Sequence, residues 1–206
     1  MESQSHSLSH TTTTELPYIV YLPDAYESSN DDFPLILFLH GKGERGSDLK
    51  ALITQGLPAK LESGDRIPFI VVAPQCPLNA YWENFLPNLN ALVEDAKHKY
   101  RVDHNRVHLT GLSMGGSGTW SLATEYPEQF AAIIPICGVY NHWLDFPERL
   151  EKIKSTPVWC FHGDADSIVP LAHSEWMIDG LKSYGNNPTF TIYKGVEHNA
   201  WTQTYA

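Results

Sequence analysis

Gly111-Leu112-Ser113-Met114-Gly115 stands where the β-type run Arg106 to Thr110 gives way to a segment of helical character, Met114 to Glu125. A serine between glycines at a strand-to-helix turn is the nucleophile-elbow pattern. Such a turn pushes the hydroxyl outward and leaves its neighbours almost no room for side chains, a demand that Gly111, Gly115 and Gly116 meet. The helix after Ser113 would aim its unpaired N–H groups and positive dipole end at an oxyanion formed beside the hydroxyl. Background usage gives G-x-S-x-G in roughly one chain in twenty of this length. The surrounding segments therefore carry the decision.

Working back toward the N-terminus, Tyr18 to Leu22 is β-rich, and Leu35 to Leu39 is a continuous apolar run that reads as a buried central strand. That run empties into His40-Gly41-Lys42-Gly43-Glu44-Arg45-Gly46, a glycine loop able to bring backbone close to a ligand. Ser47 or Asp48 is placed to cap a helix reaching about Leu61. Ile67 to Ala73 predicts another strand, and Leu89, Leu92, Val93 and Ala96 recur at helical spacing within Leu86 to Tyr100. Val102 to Asn105 reads as a turn before the elbow strand.

Beyond the elbow helix, Ala131 to Cys137 and Pro157 to Phe161 predict two short buried strands, with a helix from Pro147 to Ile153 between them. A helix from about Leu171 to Tyr184 and a strand from Thr189 to Tyr193 complete the alternation. Strands alternating with helices imply a mostly parallel sheet with right-handed crossovers. Functional loops then gather at the carboxyl ends of the strands. No long lid is inserted.

The chain of 206 residues suits one domain, expected over 16–206 after a flexible Ser-, Thr- and His-rich tail over 1–15. That tail lacks the basic start and apolar core of a secretory signal, and no run approaches the ~18 apolar residues of a membrane span. A net charge of −10 argues against nucleic acid or an anionic membrane as partner. Cys76, Cys137 and Cys160 are odd in number and lie in or beside apolar runs, so they read as reduced and packed, which points to the cytoplasm. The ten histidines are scattered without H-E-x-x-H or H-x-H spacing, so no metal is expected.

A serine hydroxyl needs a base within reach and an acid to hold that base in the right tautomer. Two later segments supply the residue types: Phe161-His162-Gly163-Asp164-Ala165-Asp166-Ser167-Ile168-Val169-Pro170, and Glu197-His198-Asn199-Ala200-Trp201. Their order, Ser then Asp then His, is that of the α/β-hydrolase triad.

The strings LHGKGERGSD, APQCP followed by a Trp, GLSMGGSGTW, PVWCFHGDADSIVP and HNAWTQTY are similar to those of α/β-hydrolase carboxylesterases, the phospholipase/carboxylesterase-like or predicted-peptidase family. They run from about Leu39 to Tyr205. The resemblance implies a three-layer α/β-hydrolase fold with Ser113 as nucleophile, Asp166 as triad acid and His198 as general base. It places the acid at Asp166 and leaves Asp164 to brace a turn. The oxyanion hole it implies uses the backbone N–H groups of Lys42 and Met114. The chain departs from the family pattern at Asn199 and at Cys137-Gly138-Val139-Tyr140-Asn141, and it stops soon after His198, where the fold normally adds a covering helix. That last departure predicts an exposed patch on one sheet face and a looser His loop.

The expected activity is hydrolysis of small-molecule carboxylic esters of short to medium acyl chain by a monomer or small homo-oligomer without cofactor. A peptidase or acyl-thioesterase with the same residues is the in-class alternative, and a catalytically silent binding protein the alternative from another class. Trp82, Tyr140, Trp143, Ile168 and Trp201 are candidate walls of the substrate pocket. His40, Glu44 and Arg45 read first as braces of the glycine loop, and His162 as a strand-end residue.

Overall fold

The computed structural model describes residues 15–139 and 148–206. Seven strands form one sheet: β1 (Tyr18–Tyr21), β2 (Phe33–Leu39), β3 (Ile70–Pro74), β4 (Val102–Leu112), β5 (Ala132–Ile136), β6 (Trp159–Gly163) and β7 (Thr189–Tyr193). Their spatial order is β1-β3-β2-β4-β5-β6-β7, with only β1 antiparallel to its neighbour. The helices are α1 (Gly56–Glu62), α2 (Leu86–Lys99), α3 (Met114–Glu125), α4 (Ala172–Ser183) and α5 (Trp201–Thr204).

Side-chain alternation along the strands explains the layers. Leu35, Leu37 and Leu39 of β2 face a core shared with Leu89 and Val93 of α2, Trp120 and Leu122 of α3, and Met177, Ile178 and Leu181 of α4. Phe38 points the other way, toward Leu57 and Leu61 of α1 and Ala200 beside α5. The central strands are thus apolar on both faces, as a sheet covered by helices requires. No helix among the described residues is long and apolar enough to cross a membrane.

Three sequence expectations change in detail. The helix expected from Asp48 to Leu61 is two pieces: a 3₁₀ segment Leu49–Thr54, capped by the Asp48 carboxylate on the Lys50 N–H, and then α1. The break falls at Gln55, which is extended (φ −147°, ψ 165°), and α1 opens on Gly56, whose φ of 65° departs from helical geometry. Val102 to Asn105, expected as a turn, instead begins β4, where Val102 is buried and registers with Phe33. The segment before Thr156 is a 3₁₀ helix over Glu148–Ile153, and Pro147, like residues 1–14 of the tail expected over 1–15, lies outside the described residues.

The joint between β5 and β6 is thin. Ile133 N–H donates to Pro157 O and Cys137 N–H to Phe161 O, so odd-numbered residues of this strand direct their N–H groups toward β6. Between them stands Pro135, which has no N–H to donate, and the ladder registers only at Ile136↔Phe161 with an isolated bridge Ile133↔Val158.

Candidate active site

Ser113 joins β4 to α3 with φ 55° and ψ −116°, a conformation that a residue with a Cβ rarely adopts. The turn is held by its surroundings. Ser113 N–H donates to Ile136 O at 2.9 Å, tying the elbow to β5. A Cβ on Gly115 would lie 1.9 Å from Leu39 O, so only glycine lets α3 start against the carboxyl end of β2. Met114 is the first residue of α3, so its N–H has no acceptor within the helix.

The loops after β6 and β7 bring the other two residues to this hydroxyl. His198 Nε2 lies 2.8 Å from Ser113 Oγ, and His198 Nδ1 lies 2.7 Å from Asp166 Oδ2. A carboxylate only accepts, so Nδ1 carries the imidazole proton and Nε2 presents its lone pair to the serine O–H. Asp166 is buried, and its Oδ1 accepts from the N–H groups of Ile168 at 2.9 Å and Val169 at 2.8 Å. The carboxylate plane is therefore fixed from the side opposite the imidazole. Asp164 sits apart from this chain of bonds, and its Oδ1 accepts from Gly195 N–H at 2.6 Å.

The glycine loop after β2 is braced by buried polar contacts. His40 Nδ1–H donates to Gly41 O at 2.6 Å, while Nε2 accepts from Cys76 N–H at 2.9 Å. Burial lowers His40 to a pKa of about 4, so the ring stays neutral. Arg45 donates from Nε to Lys42 O and from its guanidinium to Ala80 O, and Gln75 Nε2 donates to Glu44 O and Asp48 O. Glu44 is itself buried, which pushes its carboxyl upward. The loop residues Lys42–Glu44 form a single 3₁₀ turn with an exposed Lys42 at its start.

Among the expected pocket residues, Trp82 needs correction. It is fully buried, its Nε1–H donates to His40 O at 3.0 Å, and its ring packs edge-on to His40, so it supports the loop from within the core. Trp201 does stand beside the site, its ring perpendicular to that of His198 at 5.4 Å. Ile168, on the Asp166 loop, is 70% exposed. Tyr140 and Trp143 lie outside the described residues.

Two side chains beside the site had no such role in the sequence reading. Cys137, at the end of β5 with φ 41°, donates its thiol to His198 O at 3.3 Å, and burial pushes that thiol's pKa up. Its sulfur, Asp166 and His198 place ligand-type atoms within 4.8 Å of one another, but these atoms are engaged in the bonds just described. His162 is fully buried and reaches Asp166 from behind, Nε2 lying 3.2 Å from Oδ2. The His-x-x-x-Asp spacing was the available signal.

Comparison with known proteins agrees with this architecture. The family model described as Phospholipase/Carboxylesterase matches residues 78–206. Acyl-protein thioesterase 1 of Neurospora crassa is 27% identical over 198 residues, covering 80% of each chain. The protein of the same name from Gibberella zeae is 22% identical over 214 residues, covering 86% of this chain and 88% of that one. The crystal structure of a thermostable esterase superimposes with a TM-score of 0.78 at 32% identity, over 94% of this chain and 57% of that one. With the match spanning the elbow, the Asp166 loop and the His198 loop, the chain belongs to the phospholipase/carboxylesterase family, esterase- and thioesterase-like hydrolases of the α/β-hydrolase superfamily.

Proposed function

We propose that this protein is a serine carboxylesterase working through an acyl-enzyme, with Ser113, His198 and Asp166 as its triad. The observation that carries this reading is the continuous path from Ser113 Oγ through the His198 imidazole to Asp166 Oδ2, at 2.8 and 2.7 Å. His198 Nε2 takes the serine proton as Oγ attacks the substrate carbonyl, and Asp166 holds the imidazolium that results. The N–H groups of Lys42 and Met114 receive the oxyanion, supported by their places at the glycine loop and the first turn of α3. His198 then protonates the leaving alkoxide. It next removes a proton from water, whose oxygen attacks the acyl carbon and releases Ser113. Side chains and water suffice for this sequence of steps.

The short connection between Gly138 and Thr156 favours short to medium acyl chains, because so few residues leave little chain from which to build a cover for a lipid tail. A second reading, hydrolysis of acyl thioesters, is favoured by the two fungal relatives named acyl-protein thioesterase 1. The same triad serves both, since a thiolate leaves from the tetrahedral intermediate as an alkoxide does. Labelling with a fluorophosphonate tests the nucleophile: wild type becomes labelled and Ser113→Ala does not. A folded wild type that resists the label would leave a binding role instead. Rates on p-nitrophenyl esters, acyl-CoA thioesters and peptide substrates of graded acyl length then separate the reactions, and a strong preference for long acyl chains would refute the short-chain reading.

A further inference from the structure

The triad acid has a second histidine against it. His162 lies in β6, four residues before Asp166, and its side chain is sealed from solvent. Its Nε2 faces two acceptors, Val169 O at 2.8 Å and Asp166 Oδ2 at 3.2 Å. Only a protonated Nε2 suits that position. Nδ1 is then the lone-pair nitrogen and accepts from Ser174 Oγ–H at 2.7 Å, while Cys160 Sγ lies 3.5 Å behind as a donor to the same hydroxyl. Every polar atom of the ring has a partner, and the neutral form satisfies all of them.

We propose that His162 is a positioning residue for the triad acid, its neutral imidazole bracing the Asp166 carboxylate at Oδ2 and through the Val169 carbonyl while His198 occupies the other side. The clamp closes on itself. Val169 N–H donates to Oδ1 of Asp166, and Val169 O accepts from His162. Val169 is thus held on both sides, through its N–H and through its C=O, and turning the carboxylate would break several contacts together. Oδ2 accepts from His198 Nδ1–H at 2.7 Å and has His162 Nε2, whose N–H is bonded to Val169 O, 3.2 Å away on its other side, so the His162 N–H dipole adds to the field that holds its charge. The charged or titratable groups facing His162 are Asp166 and His198 on the site side, Cys160 within β6 and His173 at the start of α4. Burial depresses the pKa of His162, which keeps the ring neutral as the clamp requires.

This inference rests on the triad proposed above, and the experiment separates the two. His162→Asn is too short to reach Oδ2 but retains a partner for Ser174. His162→Met removes the donor at similar length, and His162→Gln restores an N–H near the position of Nε2. Each protein is titrated with fluorophosphonate, and kcat and KM on a p-nitrophenyl ester are taken per titrated site across pH. Losing the His162 donor leaves more of the Asp166 charge to His198 and makes its imidazolium easier to form. For His162→Asn and His162→Met the acid limb of kcat/KM should move to higher pH by about half a unit. Their kcat per site should fall about tenfold with KM little changed. His162→Gln should return most of both effects. A merely structural role would lower only the titratable fraction. An unmoved acid limb in whichever donor-less variant folds, or a His162→Gln as displaced as His162→Met, overturns the proposal. A wild type that is neither labelled nor active would instead overturn the triad itself.

Discussion

Acidification should destabilise this protein through His40, and the size of the effect follows from its environment. The ring is buried, its Nδ1–H is committed to Gly41 O, and its Nε2 lone pair accepts from Cys76 N–H. A second proton would have to enter at Nε2, against a donor, in a site that disfavours charge. The folded pKa is accordingly about 4 against 6.5 for the free side chain, with burial the largest cause. Because the folded value is the lower one, the unfolded chain binds more protons between these limits, and stability falls as pH falls through that window. The contribution is intact above about pH 6.5, and roughly 2 kcal/mol of it is lost by about pH 5, approaching ~3 kcal/mol below pH 4. Urea denaturation of wild type and His40→Gln at about pH 8 and about pH 5 measures it. Glutamine can accept from Cys76 N–H but does not titrate. Wild type should lose about 2 kcal/mol more than the variant over this interval. His108 and His162, also depressed by burial, remain in both proteins and cancel in the comparison. Equal losses in the two proteins would refute the assignment of a neutral, donor-facing His40.

Four further outcomes are expected. Ser113→Gly should raise stability by about 1 kcal/mol and Tm by ~2–4 °C while abolishing fluorophosphonate labelling, since glycine accepts φ 55° without strain. Gly115→Ala should prevent a labelled, native elbow because its Cβ meets Leu39 O at 1.9 Å, whereas Gly43→Ala, with nothing within 4 Å, should leave soluble expression and labelling unchanged. Asp166→Asn should cut kcat by ~10⁴ by allowing the wrong His198 tautomer, and Asp164→Asn, which loses only a turn contact to Gly195, should cost less than about tenfold. Thiol titration of the native protein near neutral pH should find no fast-reacting cysteine. Burial pushes Cys76 to about 11 and Cys160 to about 12 and raises Cys137 too, so reaction should follow only on denaturation.

The elements legible in sequence were those written in a single local pattern. The elbow helix runs Met114–Glu125 as its glycines and apolar positions indicate, and the order of strands and helices matches the alternation read from the chain. Boundaries failed where long-range pairing outweighed local preference. Val102 to Asn105 carries turn-type residues, yet Phe33 pairs with Val102 and extends β4. Trp82 shows the same limit at the site. Its position in a loop suggested a pocket wall, but its indole N–H finds the His40 carbonyl 42 residues upstream, and no local pattern encodes that contact. His162 looked like an ordinary strand residue, because alternation along a strand tells which face a side chain takes and not which atom it meets.

The missing donor at Pro135 sets how the molecule should fail. Ser113 belongs to the part of the sheet built on the five strands β1 to β5, whereas Asp166 and His198 hang from β6 and β7. A break along the weak joint would pull Ser113 from His198 while leaving Asp166 and His198 together in one fragment of fold. Such damage removes turnover with nearly all secondary structure still in place, and it is repaired when two edges meet again and no chain has to refold. Heat inactivation by this route should reverse on cooling, and a cross-link placed across β5 and β6 should protect activity more than the same link between other neighbouring strands.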